Sequence, residues 1–277
     1  MTIAATIAGL AICLSATMAG AWAVALRTRR SGWIDAIWSF ATGMSGAAAA
    51  LLPFAGSVIT ARQALVAVLA LVWSLRLGTH IAIRTSKGGD DPRYAQLREE
   101  WGLAFEGRLF WFLQIQALAA LALALSIMIA AHNPAPGLGL LDGLGVLIMI
   151  VAVLGEATAD RQLSRFRSHP ENRRKVCDAG LWGMSRHPNY FFEWLSWLAY
   201  AVIAFDPAGS YPWGWLALAG PLLMYWLLVH ASGIPPLEAH MLRSRGETFR
   251  EYQQRVNAFW PGPRNARCAS SKKEASR

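Results

Sequence analysis

Gly180-Leu-Trp-Gly-Met-Ser-Arg186-His187-Pro-Asn189-Tyr190-Phe-Phe-Glu193 puts two cations and an amide directly ahead of a run, 189 to 205, apolar enough to cross a bilayer. A dense polar site at a membrane surface is where a water-soluble anionic cofactor can meet a lipid-dissolved substrate. The rest of the chain has the composition this requires. It is 277 residues long, 55% hydrophobic and only 16% charged, too apolar for a soluble domain and too evenly so for a single anchor.

A helix needs about 20 apolar residues to span the hydrocarbon. Seven stretches qualify, at 3 to 26, 34 to 53, 59 to 82, 109 to 131, 139 to 159, 189 to 205 and 213 to 235. Their lengths suit helices, because strands of a membrane barrel alternate over about ten residues. The sequence therefore predicts an all-α integral membrane protein of seven transmembrane helices. The first run has no basic residues before it, and Arg27, Arg29 and Arg30 follow it, so it reads as a retained span rather than a secretory signal.

Lysine and arginine gather in the connections after spans one, three and five and in the C-terminal tail. Arg62, just inside span three, is a lone exception. The positive-inside tendency then places the N-terminus outside and the C-terminus in the cytoplasm. The formal charge of +9 is mostly topological and carries no nucleic-acid meaning. One integral domain is expected over 1–260, with a disordered basic tail over 261–277. Within the domain, 237 to 260 reads as an amphipathic helix or pair on the cytosolic surface. Cys13, Cys177 and Cys268 have no metal-like spacing, so neither a disulfide framework nor a metal site is expected.

Ionisable groups inside spans are costly and face a partner or a cavity. Asp35, in Trp33-Ile-Asp35-Ala-Ile-Trp38, reads either as a substrate-pocket group or as an interfacial aspartate neutralised by Arg29 or Arg30. Arg76, His80 and Arg84 form a cationic stripe that points inward or snorkels. Asp142 reads as a helix cap. Arg161, Arg165, Arg167, Arg173, Arg174, Lys175, Arg186 and His187 are enough cations to bind several phosphates. The helix opened by Pro188 adds aligned N–H groups. Scattered topological charges would not explain Asp160, Asn189 and Glu193 among them. No soluble nucleotide fingerprint or serine elbow is present.

The motif around Asp35, Asp91-Pro-Arg93-Tyr94, the Gly180–Glu193 stretch and the terminal Gly246-Glu-Thr-Phe-Arg-Glu-Tyr252 together resemble the bacterial branch of the steroid 5α-reductase family. The resemblance covers about residues 30 to 260. It implies a seven-helix fold and NADPH-dependent reduction of a carbon–carbon double bond conjugated to a ketone, in 3-oxo-Δ4 steroids or similar lipids. Carried over residue by residue, it implies that Asp160, Arg167, Lys175, Asn189 and Glu193 bind cofactor. The wider cofactor set expected here adds Arg84, Arg93, Arg161, Arg174, Arg186, His187, Tyr190, Glu238 and Tyr252.

For the family's ketone-polarising carboxylate, Asp35 is the match, beside Trp38. The family's partner tyrosine has no counterpart in the third helix, where Ile81 follows His80. This leaves His80, Tyr94 or another hydroxyl as the partner. The Arg-His-Pro core also occurs in membrane methyltransferases of the isoprenylcysteine and phospholipid type, which use S-adenosylmethionine. A non-enzymatic lipid carrier is the third reading. The expected partners are the membrane and an apolar steroid-like substrate entering from lipid, with no nucleic acid and no obligate protein partner. A bacterial inner membrane is the expected location.

Overall fold

A computed structural model of the chain describes residues 2–53, 58–88 and 91–264. The tail expected at 261–277 falls, from 265 onward, outside the described residues, as does Cys268. All the regular structure described is helical: α1 (Ile3–Thr28), α2 (Gly32–Leu51), α3 (Ala61–Lys87), α4 (Pro92–Trp101), α5 (Phe105–Ala131), α6 (Leu140–Ser168), α7 (Pro188–Ala204), α8 (Ala219–Trp226), α9 (Ile234–Arg245) and α10 (Glu247–Arg255). Short 3-10 turns and one π turn, Leu227–Ala231, join them.

Among the described residues, five helical segments are long and apolar enough to cross a membrane: Ile3–Thr28, Ala61–Lys87, Arg93–Ala131, Leu140–Ser168 and Pro212–Arg245. The chain is a multi-pass membrane protein on that ground. The other two apolar runs are helical as well, α2 over 20 residues and α7 over 17. At 1.5 Å per residue α7 reaches about 26 Å, short of the roughly 30 Å hydrocarbon core. In α2, apolarity is diluted by Gly, Ser and Thr, which serve packing.

The chain forms two compact units, one of residues up to Met149 with Trp197–Leu223, the other of Ile150–Ser196 with the chain from Met224 onward. In the first unit α2 packs against α1, α3 and α5. Eleven of its 20 residues are buried, against five of 26 in α1. Small side chains allow this, because packing and close approach, rather than solvent exclusion, hold helices together in lipid. A Cβ on Gly43 would collide with Ser74 of α3. Leu14, Met18, Ile34, Tyr94, Leu109 and Leu113 form the core where α1, α2, α4 and α5 meet.

Caps mark the helix starts. At α3, Thr60 Oγ1 accepts from the Gln63 N–H at 3.2 Å and the Thr60 N–H donates to Gln63 Oε1 at 2.8 Å, a reciprocal capping box. The long connection after α3 folds into α4, begun by Asp91 as N-cap with Pro92 at N1 and ended at Gly102.

In the second unit the expected amphipathic pair is α9 and α10. Phe249, Tyr252 and Val256 are buried against Val176, Met241 and Leu242. The apolar face of α10 is therefore spent on protein contacts within the unit rather than on a bilayer surface.

Candidate functional site

Asp35 lies in the first turn of α2, half-buried. Arg93 Nη2 donates to its Oδ2, and the Tyr94 hydroxyl donates to its Oδ1 at 2.9 Å. Of the partners left open by the sequence, Tyr94 is the hydroxyl in place; it is buried, with Gln116 also in hydrogen-bond reach. The cation on Asp35 is Arg93 from α4, where the sequence offered Arg29 or Arg30. Arg29 instead ends α1 in a left-handed conformation, and Arg30 Nη1 donates to the Ser86 carbonyl at 3.3 Å. Local charge proximity in sequence was outweighed by a residue that the α4 fold brings back.

Arg93 is itself held by Asp91, whose Oδ1 accepts from Arg93 Nε at 3.0 Å and whose Oδ2 accepts from Arg93 Nη2 at 3.1 Å. Burial alone would raise the Asp91 carboxyl. The Arg93 charge, the Arg93 hydrogen bonds and the Arg84 charge outweigh it and hold the group below the usual carboxylate range. Arg84, exposed on α3, reaches Asp91 Oδ2 at 3.2 Å. Arg84 and Arg93, expected on a cofactor, thus share Asp91. Trp38 donates its indole N–H to the Gln116 carbonyl at 3.0 Å, fastening α2 to α5. His80 is half-buried on α3.

The second unit gathers the Gly180–Glu193 motif. Gly180 turns the chain with φ +60, a value favouring glycine. Gln162 Oε1 accepts from the Leu181 N–H at 3.0 Å, and Trp182 Nε1 donates to the Ala159 carbonyl at 2.9 Å, pinning the turn to α6. Arg186 forks onto Glu238, with Nε to Oε1 at 2.8 Å and Nη2 to Oε2 at 3.2 Å, while Nη1 donates to the Gln253 and Val256 carbonyls at 3.0 and 2.7 Å. Its donors are committed to α9 and α10, so its immediate job is to close the unit. His187 Nε2 donates to Glu238 Oε1 at 2.8 Å. Burial lowers the His187 pKa, against the pull of Glu238, which favours the neutral imidazole. Tyr190 stacks on it with ring centroids 5.4 Å apart.

Tyr252 donates to the Trp182 carbonyl at 2.6 Å, and burial pushes its phenol up. The segment beyond α10 is stitched to the motif. The Arg186 N–H donates to the Asn257 carbonyl at 2.8 Å, Ser185 Oγ to the Phe259 carbonyl at 2.9 Å, and the Gly262 N–H to the Met184 carbonyl at 3.1 Å. Arg161, Arg167, Arg174 and Lys175 are exposed, Asp160 and Asn189 half-buried and Glu193 buried. Four exposed cations, a half-buried carboxylate and a half-buried amide within one unit are residue types that suit a dinucleotide's phosphates and hydroxyls. Arg186, Glu238 and Tyr252 fit it as support, through the bonds above.

A third polar cluster escaped the sequence. Arg62 on α3 is buried at 6% exposure and forks onto Asp142 of α6, Nε to Oδ1 at 2.8 Å and Nη2 to Oδ2 at 2.9 Å. It also donates to the Asn133, Ala135 and Gly137 carbonyls at 2.9, 2.6 and 2.6 Å. Asp142 does cap its helix as well, accepting from the Gly139 N–H at 2.7 Å. Two opposite charges, each isolated within an apolar run, were the available signal.

The family model described as a protein of unknown function (DUF1295) matches residues 21–256. The chain belongs to that family. The match spans Asp35, α4 and the whole Gly180–Tyr252 arrangement, and DUF1295 is associated with steroid 5α-reductase-like proteins. No curated protein matches the chain at a significant level.

Proposed function

We propose that this DUF1295 protein is a membrane reductase that uses NADPH to reduce a carbon–carbon double bond conjugated to a ketone in a steroid-like lipid. The observation that best supports the reading is the Asp35–Tyr94 hydrogen bond, with Arg93 on the second carboxylate oxygen. When bound, NADPH supplies the hydride. As the β-carbon is reduced, negative charge builds on the ketone oxygen, and preoriented donors against that charge give the largest rate gain. Arg93 brings a fixed positive charge of that kind, and Tyr94, whose one O–H is held by Asp35, becomes a donor to the ketone when that bond is exchanged; Asp35 orients both beforehand. With Arg93 on one oxygen and Tyr94 on the other, Asp35 acts in this reading as the acceptor that orients them.

In the second unit, Arg161, Arg167, Arg174 and Lys175 hold the phosphates in this reading. Asp160, Asn189 and Glu193 bond ribose or carboxamide groups. The reading includes seven spans, an external N-terminus and a cytoplasmic C-terminus in a bacterial inner membrane, so that the exposed arginines face the soluble cofactor.

The test is thermal stabilisation of the purified protein by NADPH, NADH and S-adenosylmethionine in parallel, with NADPH oxidation followed in the presence of an enone steroid. Protection by NADPH over NADH with enone-dependent oxidation is the expected result. Protection by S-adenosylmethionine alone would assign the protein to methyl transfer instead.

A further inference from the structure

Asp91 has no place in the expected site, yet the Asp35 cluster closes around it. Its Oδ1 accepts from the Arg93 backbone N–H at 3.0 Å, which caps α4, and also from Arg93 Nε at 3.0 Å. Its Oδ2 accepts from Arg93 Nη2 at 3.1 Å and from Arg84 Nη2 at 3.2 Å. One edge of the Arg93 guanidinium therefore lies along Asp91, and the Nη2 at the end of that edge is the atom that also reaches Asp35. Of the three side chains, Asp91 is the most enclosed, at 9% exposure against 28% for Arg93 and 18% for Asp35.

An arginine side chain has roughly 2 kcal/mol of rotamer entropy to lose on fixing. The fork on Asp91 fixes it independently of Asp35. Tyr94 follows Arg93 directly, so both partners of Asp35 come from consecutive residues in the first turn of a helix only 10 residues long. A helix that short does not hold its own end in place. Its cap is Asp91, so the residue that fixes the guanidinium also fixes the turn that delivers the phenol.

We propose that Asp91 is a positioning residue, which sets the first turn of α4 and the plane of Arg93 so that Asp35 receives Arg93 on one oxygen and Tyr94 on the other. The catalytic consequence rests on the reductase reading. The coupling between Asp91 and Asp35 does not.

The experiment uses the full chain in detergent, with Asp91→Asn, Asp91→Ala, Asp35→Asn and the Asp35→Asn/Asp91→Asn double variant. Asparagine still caps a helix as well as aspartate does, so Asp91→Asn tests the charged fork apart from the cap, and Asp91→Ala removes both. If the two aspartates act through one guanidinium, their losses are not additive. The double variant then melts within about 1 °C of the lower single variant, whereas melting losses that simply sum would overturn the proposal.

In the activity arm, Asp91→Asn lowers kcat by about 10- to 100-fold, the scale of a small misplacement. KM for NADPH stays within about twofold, because binding apart from the reacting geometry is not touched. An unchanged kcat, or a loss confined to KM for NADPH, also overturns the proposal. If the unsubstituted protein shows no enone-dependent oxidation, the reductase reading is what fails. The melting cycle then decides the role of Asp91 alone.

Discussion

Replacing Arg62 by methionine keeps most of the side-chain stem while deleting the charge and every donor it supplies. Asp142, buried at 4% exposure, would retain the Gly139 N–H as its remaining bond among those described above. Removing one partner of a buried ion pair costs about 3–5 kcal/mol, because the other charge is left without compensation. The Asn133 carbonyl, whose bond to Arg62 is also buried, adds roughly 1–3 kcal/mol if it stays dry. The Ala135 and Gly137 carbonyls are part-buried and recruit water. A loss of about 4–8 kcal/mol follows from these terms.

The Arg62→Met/Asp142→Leu double variant should recover the ion-pair part of it, since a buried pair replaced by apolar groups is often neutral. It stays about 2–4 kcal/mol short, about 1 through the lost cap at Gly139 and roughly 1–3 through the Asn133 carbonyl, which the second substitution does not re-pair. Equilibrium unfolding in mixed micelles, with helicity followed by circular dichroism, measures all three proteins. A single variant within about 1 kcal/mol of the parent, or a double variant showing the sum of both single losses, would refute the reasoning.

Three further outcomes are expected. Tyr94→Phe removes one donor from the Asp35 pair and should lower enone-dependent NADPH oxidation by about 10²-fold with nucleotide protection retained. Replacing Arg161, Arg167 and Arg174 together by alanine should abolish selectivity for NADPH over NADH in the melting assay and flatten its salt dependence, with little change in intrinsic stability because all three are exposed. His187, whose pKa is lowered in the fold, binds its proton more readily unfolded. Its contribution to stability is full above about pH 6.5 and falls as the pH drops below that value. His187→Gln should remove that part of the decline between pH 7 and 5, and an unchanged melting profile over that range would contradict it.

The helical class was readable because membrane spans announce themselves by length and composition alone. α1 and α5 contain the runs seen in the sequence, and α3 and α6 begin two residues and one residue inside theirs. The cap of α4 at Asp91 was likewise local, written in Asp-Pro. What the sequence did not carry was pairing across distance. Arg93 and Asp35 are 58 residues apart, Arg62 and Asp142 80, and Arg186 and Glu238 52. A cation count treats all arginines alike. The structure separates Arg161 and Arg174, which face outward, from Arg62 and Arg186, whose donors are taken by carboxylates and carbonyls. Likewise the amphipathic pattern of α10 could have met lipid or protein, and only the presence of Val176 and Met241 beneath it decides.

The stitching of Phe259 to Ser185 joins atoms 74 positions apart in the chain. During biosynthesis the Ser-Arg-His-Pro turn emerges long before its clamp exists, and it must wait in an unsettled form until the last stretch has left the ribosome. A premature stop ahead of Asn257 would therefore yield a product whose membrane helices are all present but whose Ser-Arg-His-Pro turn lacks the bonds that settle it.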